Sequence, residues 1–328
     1  MRIAITLAAV AAAVALAAAA CGGGEEEQTS QETATPSGAS PTGAPGLTAV
    51  VISSDISLGS NRFMLGLATK DNEVVTDADV QFGFLKLDGD QGELRFETDA
   101  TTMKMTRGIT VDKPDGTREM VEAGETAAYV AEVEFDETGD WGVRVTGTRS
   151  GKPFDPMNIQ FTVAEAPGSI AIGSAAPKSV QLTLNDVSDL SDIDTSVPPD
   201  PEWHQMTIAD AVGSGKPVAI AFSTPGFCQT QMCAPMTQEL AMLYEAYKDR
   251  VNFIHVEPYE LDKARSGEAL VPIAIMSEWG LQTEPWIFVV DAAGTVAAKF
   301  EAFVMMDEIE AAIKAALGEG HGSMAPMP

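Results

Sequence analysis

Two of the three cysteines, Cys228 and Cys233, stand between an apolar run and a segment of helical periodicity. The run at residues 218–222 has the length and composition of a buried strand, and a Thr-Pro-Gly turn ends it. Apolar residues recur at helical spacing from Pro235 onward, and a proline suits a first helical turn. The cysteines therefore bracket a predicted helix N-terminus, where free N–H groups and the helix dipole favour a thiolate. This arrangement predicts thiol redox chemistry.

The composition limits the classes of protein to be considered. The chain has 328 residues, of which 45% are hydrophobic, so we expect two globular units plus tails. It carries 48 acidic and 20 basic residues. Because so negative a surface is repelled by nucleic-acid phosphates and anionic lipids, we expect no nucleic-acid partner and no electrostatic membrane binding.

The N-terminal segment has the pattern of an export signal. Arg2 precedes an uncharged, alanine-rich stretch at residues 3–20, and Cys21 follows four alanines. This segment resembles a bacterial lipoprotein signal peptide at residues 1–20, in which the next cysteine, here Cys21, becomes the lipidated first residue. The resemblance implies a lipid anchor on the extracytoplasmic face of the cell membrane. A plain signal peptide and a single spanning anchor are the alternatives, and both also export the chain.

Export bears directly on the cysteine pair. Disulfides persist outside the cytoplasm, and with Cys21 lipidated the chain has no other cysteine to pair with Cys228 or Cys233. Residues 21–46 lack aromatic and nearly all aliphatic side chains, so they are predicted to be a disordered tether, and residues 319–328 a flexible tail.

Residues 47–164 consist of short alternating runs separated by turn residues, a spacing that favours a β-sandwich. Strands are predicted at residues 62–68, 80–87, 93–96, 128–135, 141–146 and 158–163. The stretch 128–145 resembles the late strands of immunoglobulin-like domains on exported bacterial proteins, which implies a binding or spacing role. Met103 and Met105 could offer thioethers to copper, but methionines two apart on a strand more often share one face of a sheet.

A second domain is predicted at residues 172–318, after a connector at residues 165–200. After a first short helix its elements follow the order βαβαββα, with a further short strand in the connector at residues 180–184. The predicted helices cover residues 207–212, 235–248, 272–280 and 307–317, and the strands 218–222, 251–257, 286–291 and 295–302. Helical crossovers require parallel strands and the short turn at residues 292–294 an antiparallel pair, so we expect a mixed α/β sheet.

This order of elements, together with two local motifs, resembles the thioredoxin fold. The motifs are the cysteine pair between strand and helix and the segment 280–291, which looks like the cis-proline strand of exported TlpA- and ResA-type proteins. The resemblance implies that Pro285 is cis and packs beside Cys228 and Cys233. It also places Glu284, the residue before that proline, against the sulfur atoms.

The spacing of the cysteines departs from the CxxC motif of that family. In the CxxxxC spacing here, five helical steps leave the side chains about 140° apart, so Cys228 must lie in the loop for a bond to Cys233 to form. The strand at residues 218–222 also lacks the acidic residue that thioredoxins use in proton transfer.

Two neighbouring families offer alternatives. Peroxiredoxins require a Pro-x-x-x-Thr/Ser-x-x-Cys motif, and Gln229 and Met232 occupy its last two positions here. Sco-type copper carriers have a CxxxC pair and a histidine just before the late strand, whereas His255 lies in the second predicted strand and His204 before the first helix. The tail also holds soft ligands, at His321 and two methionines, without a fold to fix them.

The sequence thus predicts an exported lipoprotein with a thiol–disulfide oxidoreductase domain. Cys228 is the expected nucleophile and Cys233 the resolving thiol. The supporting residues are Pro225, Phe227, Glu284 and Pro285. We expect protein thiols or disulfides as substrates and no cofactor. The alternatives are a binding lipoprotein stapled by a structural disulfide, and Sco-like copper handling by Cys228, Cys233 and His255.

Overall fold

A computed structural model describes residues 46–89, 91–114, 118–267 and 269–319. The predicted signal peptide with Cys21, most of the tether and nearly all of the tail therefore lie outside the described residues. The described residues belong to one compact unit. Within them, no helix combines the length and the hydropathy needed to cross a membrane.

The first half of the described chain forms two antiparallel sheets. Its strands are β1 (Leu47–Val51), β2 (Gly59–Thr69), β3 (Ala78–Asp88), β4 (Gln91–Asp99), β5 (Thr101–Asp112), β6 (Arg118–Phe135), β7 (Gly139–Arg149), β8 (Lys152–Pro153) and β9 (Met157–Val163). One sheet has the order β1-β2-β6-β5, and the other has the order β4-β3-β7-β8 with β9 also paired to β7. All of these pairs are antiparallel.

The two sheets share one hydrophobic core, as expected from the alternating runs. Phe63 of β2 packs edge to face on Phe84 of β3, with ring centroids 5.0 Å apart, and Phe135 of β6 packs on Trp141 of β7 at the same separation. Each predicted strand lies within an observed one. The prediction missed β1, β5, β8 and the first half of β6; β5 and that half of β6 carry charged residues among their apolar ones, which weakens the strand pattern.

The second half contains the helices and a four-stranded sheet. After short 3₁₀ turns at Leu190–Asp192 and Pro201–His204, the elements are α1 (Ile208–Gly213), β10 (Val218–Phe222), α2 (Cys233–Tyr247), β11 (Asn252–Val256), α3 (Leu261–Ser266), α4 (Ala274–Glu278), β12 (Trp286–Val290), β13 (Val296–Glu301) and α5 (Met306–Ala316). The sheet order is β11-β10-β12-β13. β10 is parallel to β11 and antiparallel to β12, which is antiparallel to β13, so the mixed sheet is confirmed.

The central strands of this sheet are buried on both faces. Every residue of β10 and of β12 is buried, and separate hydrophobic clusters cover the two faces. Strands buried on both faces have continuous apolar sequences, and for this reason the predicted bounds of β10 and β12 agree closely with the observed ones. Thr207 caps α1 through a capping box with Asp210.

The prediction of a strand at residues 180–184 is wrong, because no strand forms there. Val180 and Leu182 are exposed, whereas Ser179 and Thr183 are buried. The Thr183 hydroxyl donates to Asp186 at 2.7 Å, and Ser179 donates to Glu278. Burial does alternate along this segment, but the polar side chains are buried and the apolar ones are exposed. The buried hydroxyls bond to carboxylates of other residues, and no neighbouring strand pairs with the segment.

The two halves of the chain contact each other beside the N-terminus of α2. A buried apolar cluster joins them, made of Met64, Met105, Ala128, Val130, Met232 and Phe303. Lys299 of β13 binds Asp55 at 2.8 Å, and Ser169 bonds to both of these side chains. Arg62 of β2 forms an ion pair with Glu308 of α5 at 3.1 Å.

Candidate functional site

Cys228 and Cys233 form a disulfide at the junction of β10 and α2. Their Cα atoms are 6.0 Å apart, within the usual range for a disulfide. Cys228 lies in the loop and is half-buried, whereas Cys233 is the first residue of α2 and is fully buried. The predicted location of Cys228 in the loop is confirmed. An incoming sulfur can therefore reach Cys228 more readily than Cys233.

The loop between the cysteines takes the place of a helix cap. No side-chain oxygen caps α2, and the backbone N–H of Cys233 donates instead to Sγ of Cys228 at 3.1 Å. The hydroxyl of Thr230 lies 3.3 Å from the same sulfur. An N–H at a helix N-terminus stabilises negative charge, so these donors would favour a thiolate on Cys228 once the bond is reduced.

The turn before the cysteines is held from both sides. The Phe227 N–H donates to the Thr224 carbonyl at 3.1 Å, and the Gly226 N–H donates to the Thr195 hydroxyl at 2.8 Å. Phe227 and Pro225 are half-buried. Pro225 also lines a cavity of about 200 Å³ beside the first turns of α2. Pro225 thus lines the cavity beside the loop and Phe227 is fixed in the turn before it, and neither carries a titratable group.

Glu284 is the acidic group of this site. One of its carboxylate oxygens and the two sulfur atoms all lie within 4.8 Å of one another. The Glu284–Pro285 peptide bond is cis, as the resemblance implied, and Pro285 is buried at the start of β12. Burial raises the pKa of the Glu284 carboxyl above its ordinary value.

Tyr259 completes this arrangement, and the sequence analysis missed it. Its hydroxyl donates to Oε2 of Glu284 at 2.5 Å. Burial and the bond to Glu284 both raise the pKa of Tyr259, so it stays a neutral donor. Tyr259 follows β11, and no local pattern connects it with a residue before β12.

The two-sheet half covers one side of the disulfide loop. Met232, next to Cys233, is buried in the cluster that holds Met64 and Met105, and Met103 packs against that cluster. Met103 and Met105 therefore share one face, as their spacing predicted. Arg107 of β5 donates to the Gln231 side chain at 3.4 Å. These contacts hold the second half of the loop, because they fix both Gln231 and Met232.

His255 lies in a different cluster from the cysteines. Its Nδ1 is 3.3 Å from Oδ1 of Asp194, and Nε2 of His204 is 3.1 Å from Oδ2 of the same carboxylate. Burial lowers the pKa of His255, but the Asp194 carboxylate outweighs burial and raises it to about 9. Across the described ranges, the group of potential ligands around the sulfurs contains Glu284 and not His255. The structure thus does not bring together the alternative metal set of Cys228, Cys233 and His255.

The arrangement combines an accessible sulfur, a buried sulfur and one carboxylate, which suits two-step thiol–disulfide exchange. No protein-family model matches this chain, and no curated protein matches it either. The assignment of a function therefore depends on the chemistry of these residues.

Proposed function

We propose that the protein is an exported thiol–disulfide oxidoreductase that acts through the Cys228–Cys233 pair. The observation that carries this proposal is the asymmetry of the two sulfurs. Cys228 is half-buried and accepts a hydrogen bond from the N-terminus of α2, while Cys233 is fully buried behind it. A nucleophilic cysteine must be accessible to the substrate, whereas the resolving cysteine can stay buried behind it.

A thioredoxin-like domain is the fold that we propose for the second half. The sheet order β11-β10-β12-β13 has one parallel pair and two antiparallel pairs, with the cysteines after β10 and a cis proline before β12. This arrangement supports the thioredoxin resemblance of the sequence. For the first half we propose an immunoglobulin-like sandwich, supported by its two antiparallel sheets over one core.

The proposed reaction moves two electrons from the dithiol to a substrate disulfide. The Cys228 thiolate attacks one substrate sulfur, the substrate disulfide breaks, and the first substrate thiolate leaves and takes a proton. Cys233 then loses its proton and attacks Sγ of Cys228. The mixed disulfide breaks, the Cys228–Cys233 bond forms, and the second substrate thiolate leaves. Glu284 lies close enough to both sulfurs to accept the proton of Cys233.

The reduction potential of the pair tests the proposal. We expect equilibration of the full-length protein with glutathione buffers to give a value above about −300 mV, because a working pair must be reducible by the thiols that it meets. A value below about −300 mV would instead assign the bond as a structural staple. Alkylation followed by mass measurement reads the reduced fraction directly.

The location of the protein is a separate proposal, supported only by the N-terminal sequence. We propose that lipid on Cys21 anchors the protein at the extracytoplasmic face of the membrane. Cys21→Ala should lack the lipid and leave the membrane fraction, as measured by fractionation and intact mass. Unchanged membrane retention of Cys21→Ala would indicate an uncleaved anchor instead.

A further inference from the structure

Both histidines of the described chain meet at one buried carboxylate. Asp194 comes from the connector, His204 from the 3₁₀ turn Pro201–His204, and His255 from β11. The exposed fractions of the three residues are 3%, 2% and 2%. One ligand atom from each lies within 4.8 Å of the others. We propose that Asp194, His204 and His255 form a binding site for a divalent transition-metal ion of the zinc type.

The distances fit an ion held between these atoms. The carboxylate oxygens of Asp194 are 3.1 Å from Nε2 of His204 and 3.3 Å from Nδ1 of His255. Neighbouring ligands of a tetrahedral zinc ion with bonds of about 2.0–2.1 Å are about 3.3 Å apart. Two imidazoles and a carboxylate are also ligand types that zinc accepts, and they leave a fourth position open.

The surroundings hold the ligand atoms in place. Nε2 of His255 lies 2.9 Å from the carbonyl oxygen of Ser223, which accepts its proton, so Nδ1 faces Asp194 and an ion would replace the proton that Nδ1 shares with that carboxylate. The backbone N–H groups of Ser196 and Asp200 donate to the Asp194 carboxylate at 2.7 and 3.2 Å. Hydrogen bonds of this kind orient metal ligands in known sites.

A second buried carboxylate near the site has a hydrogen-bond partner, Thr195, for only one of its two oxygens. Glu257 is 6% exposed, and its Oε2 has no hydrogen bond. It lines the same cavity of about 630 Å³ as His204 and His255. An unpaired carboxylate oxygen inside a protein is costly, and a divalent cation nearby would offset that cost. Glu257 is not one of the residues whose ligand atoms lie together, so it would offset the charge of the ion from outside the ligand set, and water would take the fourth position.

This site is separate from the redox pair, so it does not depend on the proposed oxidoreductase activity. The potential ligands around Cys228 and Cys233 form another group, which includes Glu284. A bound ion would join the connector to the central sheet, because its ligands come from both. Chelation should accordingly lower the melting temperature of the full-length protein.

Metal analysis of the full-length, oxidised protein tests the proposal. After stripping with a chelator and dialysis against zinc, we expect one zinc per chain by elemental mass spectrometry. Asp194→Asn and His255→Gln should each reduce this to less than about a tenth, because three ligands are needed to hold the ion. The matched control His321→Gln should retain the zinc, and so should the double variant Cys228→Ser, Cys233→Ser.

A second measurement uses only the wild-type protein. Cobalt added to the stripped wild-type protein should give visible d–d bands without a thiolate-to-cobalt charge-transfer band. Absence of stoichiometric zinc in the wild type would overturn the proposal and leave a metal-free hydrogen-bonded cluster. Zinc that is lost in the cysteine double variant but retained in Asp194→Asn would overturn it as well, because the thiols would then be the ligands.

Discussion

Cys233→Ser should accumulate a stable mixed disulfide through Cys228, whereas Cys228→Ser should lose thiol–disulfide exchange. Cys228 is the sulfur that a substrate can reach, and Cys233 is buried behind it. Without Cys233, no thiol of the pair can release the bound substrate. We expect the exchange rate of Cys228→Ser to fall by at least about a hundredfold, since Cys233 cannot replace the nucleophile.

The measurement is the rate of reduction of a disulfide peptide, with intact mass to detect the trapped adduct. Gln229→Ala is the matched control, because Gln229 is the exposed neighbour of Cys228 and carries no thiol. It should keep the activity of the wild type. Trapping in Cys228→Ser rather than in Cys233→Ser would reverse the assigned roles. If both cysteine variants lose only stability and the wild type shows no exchange, the disulfide is a staple.

The parts of this fold that the sequence predicts well are those in which neighbouring residues carry the signal. β10 and β12 are unbroken apolar runs, and Thr207 with Asp210 marks the start of α1. The location of Cys228 followed from helix geometry, since two cysteines five apart cannot bond within one regular helix. The cis bond at Pro285 followed from the resemblance and not from any local rule.

The parts that the sequence could not predict depend on contacts between distant residues. Tyr259 reaches Glu284 although α3 and α4 lie between them in the chain, and Asp194 joins a 3₁₀ turn to a strand. The cover over the loop by Met64 and Met105 likewise comes from another sheet. Hydrophobic periodicity reports which face of an element is buried, but it does not report which element covers that face.

The contacts between the two-sheet half and the disulfide loop restrict the direction from which a substrate can approach. Met232 is buried against the two-sheet half, while Gln229 and Thr230 are exposed. The Cys233 side of the loop is therefore closed, and the Cys228 side is open. This gives the two-sheet half a role in the site, because it decides which sulfur meets the substrate.

Glu284→Gln should lower the pKa of the Cys228 thiol by about one unit and make the couple more oxidising. The carboxylate lies within 4.8 Å of both sulfurs, so it opposes a second negative charge there. At an effective dielectric constant of about 20, two charges at that separation interact by about 3 kcal/mol, and the partial exposure of Glu284 reduces the effect. A shift of one unit corresponds to about 1.4 kcal/mol, or roughly 30 mV for this two-electron couple above the thiol pKa.

The direction of the pKa shift depends on whether each group stabilises or destabilises the Cys228 thiolate. The N-terminus of α2 stabilises the thiolate and Glu284 destabilises it, so the two effects oppose each other in the wild type. Removing the carboxylate leaves the helix effect alone.

Alkylation of reduced Cys228 against pH measures these shifts, with the potential determined at a pH above the thiol pKa. Glu260→Gln is the matched control, since Glu260 is an exposed carboxylate that pairs with Lys263 rather than with the sulfurs. Its titration curve should coincide with that of the wild type. A Glu284→Gln curve that also coincides would mean that the carboxylate does not act on the thiol. The proton released by Cys233 would then pass to water, because among the described residues Glu284 is the only acidic group placed with the sulfurs.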